Sequence, residues 1–266
     1  MMKTVILCGG YGTRIRDVAD DIPKPMIPIG GKPIIWHIMK TYAYHGYHDF
    51  VLCMGYKSEV IKDFFINYEL RTSDITIKLG KKSEQIISEA SHDEDGWKIT
   101  LAETGIKAMT GARVRRIKKY IGDDPYFMLT YGDGVGDIDI EALVAFHKKH
   151  GKMVTLTGVR PPGRFGELGI AEDGTTITGF NEKPQASGGR INGGYFVCKR
   201  EFLDILSEDE DLVLEQEPMK RLVELGELKV FEHDGFWQPM DTSREFSLLN
   251  ELYNNNQAPW VKWEKK

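Results

Sequence analysis

Two short stretches rich in glycine and cations stand near the start of the chain. A Gly-Gly-x-Gly-Thr-Arg run covers residues 9–14, and Lys-Pro-Met follows at 24–26. A glycine-rich loop after a strand has backbone N–H groups that are free to bind phosphate. The run lacks the third glycine of a dinucleotide fingerprint, because Ile15 stands there, and it lacks the Lys-Ser/Thr ending of a P-loop. Arg14 and Lys24 beside such a loop indicate a site that both holds and cleaves a polyphosphate.

Two aspartates in later motifs could bind a hard cation through oxygen. Asp133 lies in YGDGVGD at residues 131–137, and Asp241 lies in GFWQPMDT at residues 235–242. A strand that ends in Gly-Asp puts its carboxylate at the carboxyl edge of a parallel sheet, where ligands bind. Taken alone, an acid at this place is as often a helix cap, so the interpretation of Asp133 depends on a partner such as Asp241.

A further charged pair, Glu182 and Lys183, lies in FNEKP, and INGGYFV with Asn192 and Gly193 follows it. By themselves Glu182 and Lys183 favour an ion pair at a hairpin edge. In company with the other motifs they become candidates for a ligand contact.

The elements that must position these residues alternate between strand and helix. Residues 3–8 are predicted as a buried strand, 33–46 as a helix with Pro33 at its first position, 49–55 as a strand and 58–68 as a helix. Strand–helix–strand–helix order is typical of a parallel sheet wound with helices. Residues 71–101, with an HDEDG turn, predict antiparallel strands.

The second half of the chain continues the same alternation. We predict a helix after Thr110 as N-cap, a strand at 125–131, a helix over 138–151 closed by Gly151, and a strand at 153–159. Residues 160–198 are turn-rich and typical of a small antiparallel lid. A final helix follows Asp241, with a capping box predicted from Thr242 and Glu245. Asp137 and Asp139 are interpreted as turn and cap residues.

Composition restricts the class of protein. The chain has 266 residues, a net charge of −5 and 41% hydrophobic residues, values that exclude disorder and suit a cytoplasmic α/β protein. No apolar run approaches the ~20 residues needed to span a bilayer, and no signal peptide opens the chain. The acidic balance argues against nucleic acid as a partner. The basic run at 113–119 is interpreted as a solvated helix face, with Arg113 a separate case.

The cysteines and histidines do not form a metal or disulfide pattern. Cys8, Cys53 and Cys198 each end an apolar run without CxxC spacing, which is typical of small buried residues in a reducing compartment. The 28 glycines exceed the roughly 19 expected at the ~7% average, and they cluster beside hydrophobic runs. Such clusters are expected where a backbone closely approaches a ligand.

LCGGYGTR together with PKPM resembles the signature of the sugar-1-phosphate nucleotidylyltransferases. The resemblance implies a Rossmann-like doubly wound, mainly parallel sheet with a small antiparallel lid, and Mg²⁺ held by Asp133 and Asp241. It makes Arg14 and Lys24 catalytic, and Glu182, Lys183, Asn192 and Gly193 contacts to the sugar phosphate. The residues expected to bind the nucleotide are Leu7, Cys8, Gly9, Gly10, Tyr11, Gly12, Thr13, Ala108, Thr110, Arg113 and Gly132.

Three further stretches, TGIKAMTGARV, RPPGRFGELGI and GFWQPMDT, resemble the glucose-1-phosphate cytidylyltransferase branch of that family over nearly the whole chain. This branch implies that CTP and glucose 1-phosphate become CDP-glucose and pyrophosphate. The loop around Ala108 and Thr110 would then meet the base, and an Arg113 fork could satisfy the acceptors of cytosine. One departure is Cys8, where relatives commonly have alanine of similar size.

The resemblance also implies a homo-oligomer, a hexamer in this branch, and a bacterial route to CDP-linked deoxyhexoses for surface polysaccharide. We expect a catalytic domain over 1–241, with its lid at about 160–198, and a C-terminal helix and tail over 242–266. Two alternatives stay open. One is the same chemistry with dTTP, UTP or another sugar 1-phosphate, and the other is a non-catalytic module that binds a nucleotide sugar.

Overall fold

A computed structural model describes residues 2–12, 15, 21–79, 84–90, 93–161, 167–171, 175–181 and 189–264 of the chain. The strands in these residues are β1 (Lys3–Leu7), β2 (Pro28–Ile29), β3 (Lys32–Pro33), β4 (Asp49–Met54), β5 (Ser73–Lys78), β6 (Glu84–Ala90), β7 (Lys98–Glu103), β8 (Tyr126–Tyr131), β9 (Gly134–Gly136), β10 (Val154–Val159), β11 (Glu167–Ile170), β12 (Ile177–Asn181), β13 (Ile191–Lys199), β14 (Leu228–His233) and β15 (Trp237–Pro239). The helices are α1 (Ile34–Tyr44), α2 (Ser58–Ile66), α3 (Tyr68–Thr72), α4 (Thr110–Arg116), α5 (Lys118–Ile121), α6 (Ile140–His150), α7 (Phe202–Ile205), α8 (Glu217–Glu224) and α9 (Ser243–Asn254), and Lys24–Met26 forms a 3₁₀ turn.

Seven of the described strands form one sheet in the order β14-β10-β13-β8-β1-β4-β7. Neighbouring strands are parallel except at β13, which runs antiparallel to both β8 and β10. Four two-stranded antiparallel pairs accompany this sheet in the described residues: β2–β3, β5–β6, β9–β15 and β11–β12. The predicted α/β class with a mainly parallel sheet is confirmed.

Both faces of the large sheet are buried, because alternate residues of its strands enter two different hydrophobic clusters. On β1, Ile6 belongs to one cluster, while Val5 and Leu7 belong to the other. Helices α1 and α6 cover the first face and α4 and α5 the second, which makes the sheet doubly wound. The carboxyl ends of β1 and β8 thereby meet at one rim between the two helix layers.

The basic run at the second face behaves as predicted. Val114, Ile117 and Ile121 are completely buried under the sheet. The cations between them point outward and pair with acids: Arg115 with Glu208, Arg116 with Glu210, and Lys118 with Asp204.

The prediction of antiparallel strands throughout 71–101 is confirmed for β5 and β6 but wrong for β7, which lies parallel to β4 at the edge of the large sheet. Ile99 and Leu101 of β7 pack on the first cluster, and Ala102 belongs to the second. Because β7 has apolar residues on both faces, it is more stable in the large sheet, which is covered on both sides, than beside the β5–β6 pair.

Two other boundaries differ from the prediction. Pro33 is not the first helical residue of α1, because it pairs with Pro28 in the β2–β3 hairpin and keeps an extended ψ of 147° before the helix begins. Within the segment predicted as a lid, β11 and β12 form their own antiparallel pair, but β13 lies in the large sheet. A lid there is therefore restricted to the residues before β13, and its function stays a prediction.

Several local signals are confirmed. Asp139 caps α6 by accepting a hydrogen bond from the Ala142 N–H at 2.9 Å, and Gly151 ends the helix with a φ of 64°. Thr242 and Glu245 form the predicted capping box at α9. All three cysteines are buried and free. Beyond α9, the Trp260 ring is buried against Phe236 at 5.5 Å. A division of the chain at 241 stays a prediction.

None of the helices in the described residues is long and apolar enough to cross a membrane.

Candidate active site

The glycine-rich loop leaves the carboxyl end of β1 and is held by backbone hydrogen bonds to the next parallel strand. The Cys8 N–H donates to the Cys53 carbonyl at 3.2 Å, and the Gly9 carbonyl accepts from the Tyr56 N–H at 3.2 Å. Gly12 adopts a φ of 59°, in the left-handed region that favours glycine. A Cβ on Gly12 would lie 3.1 Å from the Cβ of Lys24, so the loop and the 3₁₀ turn are in close contact.

The end of β8 reaches the same rim because Gly132 has no side chain. Its N–H donates to the Leu7 carbonyl at 2.9 Å, and a Cβ on Gly132 would stand only 2.8 Å from that carbonyl oxygen. The next residue, Asp133, is thereby fixed beside the loop. Its carbonyl accepts from the Met240 N–H at 2.8 Å, which brings Asp241 to the same place.

Lys24, Asp133 and Asp241 converge on one point. The Lys24 Nζ donates to Asp133 Oδ2 at 2.6 Å and also to Asp241 Oδ1. Burial lowers the pKa of Lys24, but the charges and hydrogen bonds of the two carboxylates outweigh it and raise the pKa above its ordinary value. The lysine therefore stays charged.

The same two carboxylates fit a magnesium ion. Their oxygens both reach one nitrogen atom, so a single cation could contact both, and carboxylate oxygen is the ligand type that Mg²⁺ prefers. Within the described residues there is no cluster of three or more acidic, histidine or cysteine ligands. A magnesium ion here would complete its shell with water and substrate phosphates, as is usual for this ion.

A cavity of about 410 Å³ opens beside this convergence point. All the described residues that the sequence assigns to the nucleotide line it: Leu7, Cys8, Gly9, Gly10, Tyr11, Gly12, Ala108, Thr110, Arg113 and Gly132. Lys24, Asp133 and Asp241 line it as well. Thr13 and Arg14 lie outside the described residues. A second cavity, of about 980 Å³, also includes Asp133 and Asp241 in its lining, so the two carboxylates stand between two cavities.

Arg113 lies in the wall of the first cavity, 4% exposed. Its Nη1 donates to the Met54 carbonyl at 2.8 Å and to Thr104 Oγ1 at 2.9 Å. Its Nη2 donates to the carbonyls of Gly9 at 3.0 Å and Ile106 at 3.3 Å. Both terminal nitrogens are thus used by the protein in this arrangement, and a contact of the Arg113 fork with the base stays a prediction. The guanidinium joins the glycine-rich loop, the end of β4 and the loop before α4.

Thr110 is the first residue of α4 and does not cap it, contrary to the prediction. The free N–H groups of Gly111 and Ala112 donate instead to the Leu212 carbonyl, at 2.9 and 3.2 Å. This carbonyl approaches closely because Gly111 has no Cβ, which would lie 2.9 Å from the oxygen. A distant segment caps the helix, and the Thr110 hydroxyl is therefore available for another contact.

Asn192 and Gly193, predicted to contact the sugar, lie at the start of β13. The Asn192 side chain accepts from the Gly194 N–H at 2.9 Å and donates to the Tyr131 hydroxyl at 3.2 Å. The Gly193 carbonyl accepts from Trp237 Nε1 at 2.7 Å. Glu182 and Lys183 lie outside the described residues, and their roles stay predictions.

Sequence reasoning missed Tyr131 and Glu215. The Tyr131 hydroxyl donates to Glu215 Oε1, and the Thr110 hydroxyl donates to Glu215 Oε2 at 2.8 Å. Tyr131 stands two positions before Asp133, inside a recognised motif, which is a signal that could have found it. Glu215 lies in an acidic stretch with no distinguishing pattern.

Comparison with known proteins gives consistent results. The sequence profile of the nucleotidyl transferase family matches residues 3–238. The chain is 48% identical over 263 residues to the glucose-1-phosphate cytidylyltransferase of Salmonella typhimurium, covering 99% of this chain and 100% of that one. It is 30% identical to the mannose-1-phosphate guanyltransferase of Saccharomyces cerevisiae, over 97% of this chain and 66% of that one. Among solved structures, HddC from Yersinia pseudotuberculosis shares the fold with a TM-score of 0.67 at 22% identity, over 95% of this chain and all of that one.

Proposed function

The chain belongs to the nucleotidyl transferase family, and from this membership we propose that it transfers CMP from CTP to α-D-glucose 1-phosphate, giving CDP-glucose and pyrophosphate. Full-length similarity to a glucose-1-phosphate cytidylyltransferase supports the choice of substrates. The structural observation that carries the proposal is the convergence of Lys24, Asp133 and Asp241 in the lining of a cavity that the glycine-rich loop also lines.

The charges of the substrates explain why cations must be concentrated here. CTP and glucose 1-phosphate together carry about −6, counting each terminal phosphate near −2. The whole chain has a net charge of −5, so only local positive charge can hold them. Lys24 supplies one such charge within the cavity, and the family resemblance adds Arg14 and Lys183.

The reaction needs no general base. The phosphate oxygen of glucose 1-phosphate is already anionic at pH 7 and attacks the α-phosphorus of CTP. The bond from that phosphorus to its bridging oxygen breaks, and pyrophosphate leaves in line. The protein contributes by positioning the two phosphates and stabilising the charge that develops between them.

Each residue then has a defined part. Lys24 neutralises the α-phosphate, Arg14 neutralises the leaving pyrophosphate, and the backbone N–H groups of the glycine-rich loop bind the nucleotide phosphates. Asp133 and Asp241 would hold Mg²⁺. When bound, this ion supplies further neutralisation of phosphate charge. The sugar phosphate is held by four residues that follow from the resemblance: Glu182, Lys183, Asn192 and Gly193.

We propose that the base lies against the loop at residues 106–110, which lines the cavity. Arg113 supports this loop from behind through the Ile106 carbonyl and supports the phosphate-binding loop through the Gly9 carbonyl. The buried Arg113 side chain would thus keep the glycine-rich loop and the 106–110 loop at the separation that a cytidine requires.

The reaction is tested by incubating the protein with CTP, glucose 1-phosphate and Mg²⁺ and identifying the product by mass spectrometry. CDP-glucose is expected. Another sugar nucleotide formed with other substrates would favour the second candidate, the same chemistry with a different base or sugar. The similarity to a mannose-1-phosphate guanyltransferase is the reason to include that candidate. Tight CTP binding without product would indicate a non-catalytic module.

Two further expectations belong to this proposal. The free thiols of the buried cysteines suit the reducing cytoplasm, where we propose that the enzyme works. A homo-oligomer, with a hexamer as the specific expectation, would give several-fold the 30.3 kDa chain mass in light scattering.

A further inference from the structure

A series of hydrogen bonds joins two residues that line the nucleotide cavity, Thr110 and Tyr131. It starts at Thr110, the first residue of α4, passes through both carboxylate oxygens of Glu215 to the Tyr131 hydroxyl, and ends at the Asn192 amide on β13. Thr110 lies on the side proposed for the nucleotide, and Asn192 lies on the side proposed for the sugar phosphate. Within this series of hydrogen bonds, Glu215 is the residue that connects the two sides.

The segment that carries Glu215 is itself fixed to the nucleotide side. The Glu210 carbonyl accepts from the Met109 N–H at 2.9 Å, and the Leu212 carbonyl accepts from the first turn of α4. The Leu214 N–H donates to the Thr110 hydroxyl at 2.9 Å. Glu215 therefore follows a backbone segment that these hydrogen bonds hold against α4, and its side chain extends from there to Tyr131.

The hydroxyl protons of Thr110 and Tyr131 both need an acceptor on residue 215, and a carboxylate provides one oxygen for each. The Thr110 oxygen accepts from the Leu214 N–H, and the Tyr131 oxygen accepts from the Asn192 amide, so each hydroxyl proton points to Glu215. Two donors need two acceptors, which the two side-chain oxygens of Glu215 supply.

We propose that Glu215 is a positioning residue that fixes the nucleotide side and the sugar side of the active site relative to each other. The inference rests on the proposed function for the assignment of the two sides. Glu215 acts through Thr110 on the binding of CTP and through Tyr131 and Asn192 on the binding of glucose 1-phosphate.

Three variants separate these effects in steady-state kinetics with each substrate varied in turn. Thr110→Val removes the nucleotide branch and should raise the KM for CTP, whereas Tyr131→Phe removes the sugar branch and should raise the KM for glucose 1-phosphate. Glu215→Gln replaces one acceptor with a donor and should raise both KM values, by roughly five- to tenfold, with a smaller change in kcat. In the double variant Glu215→Gln/Tyr131→Phe, the KM for glucose 1-phosphate should rise no further than in either single variant.

Glu208→Gln is the matched control, because Glu208 is exposed and pairs with Arg115 on the outer side of α4. It should leave both KM values unchanged. If Glu215 only stabilised the segment next to α4, Glu215→Gln would raise the KM for CTP alone and lower the melting temperature. That result, fully additive effects in the double variant, or KM values within twofold of wild type would each overturn the proposal.

Hydrogen exchange tests the link without any turnover, so its failure is separable from failure of the proposed function. In substrate-free Glu215→Gln, the amides of Leu214 and Gly194 should exchange faster, since their acceptors Thr110 and Asn192 both lose support. Glu208→Gln should exchange as wild type does. Faster exchange at Leu214 alone would contradict a connection between the nucleotide side and the sugar side.

Discussion

The Lys24 ammonium lies 2.6 Å from a carboxylate oxygen of Asp133, although the two residues are 109 positions apart in the chain. It also donates to Asp241, which comes from the other end of the protein. The ammonium therefore stands at a point that both carboxylates reach, where a divalent cation would share the same oxygens. A metal ion bound there would compete with the lysine for the aspartates, and we expect substrate phosphate to give the lysine another partner.

Replacing Lys24 by methionine should have two opposite effects. Turnover should fall by about 10² or more, because a charge on the α-phosphate is lost. The affinity for Mn²⁺ without nucleotide should rise by about tenfold or more, because the carboxylates lose a competing cation. Electron paramagnetic resonance of free Mn²⁺ measures this affinity. Lys62→Met, which removes a surface lysine paired with Glu103, should alter neither quantity. Unchanged Mn²⁺ affinity in Lys24→Met would refute the competition.

Replacing either metal-site carboxylate by its amide should impair catalysis without affecting the fold. Asp133→Asn and Asp241→Asn should each lower turnover by about 10² or more and raise the Mg²⁺ concentration needed for half-maximal rate. Asp139→Asn is a suitable control, since asparagine caps a helix as well as aspartate does. Activity should be measured over a Mg²⁺ titration. A near-normal rate in Asp133→Asn would exclude this residue from the site.

Arg113→Met distinguishes a structural cation from one that contacts the base. The guanidinium donates to four protein oxygens, so its removal should lower the free energy of unfolding by about 2–3 kcal/mol and raise the KM for CTP. Arg115→Met, on the outer face of the same helix, should cost less than about 1 kcal/mol. Denaturant unfolding measures both. Normal stability combined with lost preference for CTP would instead support direct recognition of the base by Arg113.

His37 should make the fold sensitive to mild acid. It accepts from Trp260 Nε1 at Nδ1 and donates from Nε2 to the Ile29 carbonyl, and burial lowers its pKa from 6.5 to about 4. Because the unfolded chain binds this proton more readily, its contribution is complete above pH 6.5 and declines as the pH falls toward 4. The loss amounts to about 2 kcal/mol between pH 7 and pH 5.

His37→Gln isolates that contribution, because glutamine can both donate and accept at the same place without titrating. Its free energy of unfolding should depend less steeply on pH between 7 and 5 than that of the wild type. Equal pH dependence in the two proteins would mean that His37 is not the group responsible.

The parts of the fold that the sequence predicts are those with local causes. The start of α9 follows from a capping box four residues long, and the end of α6 follows from the left-handed conformation of Gly151. The glycine-rich loop, Lys24 and Asp133 each lie in a short motif that can be recognised by itself. These motifs together predict that the three belong to one cavity.

What the sequence could not predict depends on residues far apart. The cap of α4 is the Leu212 carbonyl, about a hundred positions from Gly111, so a local rule assigned the role to Thr110. The four acceptors of Arg113 come from three separate loops and strand ends, and no spacing reveals that its donors are already used. Glu215 becomes part of the site only when the fold brings it to Tyr131.

Assignment as a cytidylyltransferase is tested by pyrophosphate release from the wild-type protein with glucose 1-phosphate and Mg²⁺, with CTP, dTTP, UTP, ATP and GTP compared in parallel. A cytidylyltransferase should release pyrophosphate with CTP at a kcat/KM at least about tenfold above that for any other nucleotide, a difference of ~1.4 kcal/mol in transition-state binding. Preference for another nucleotide, or no release with any of the five, would contradict it.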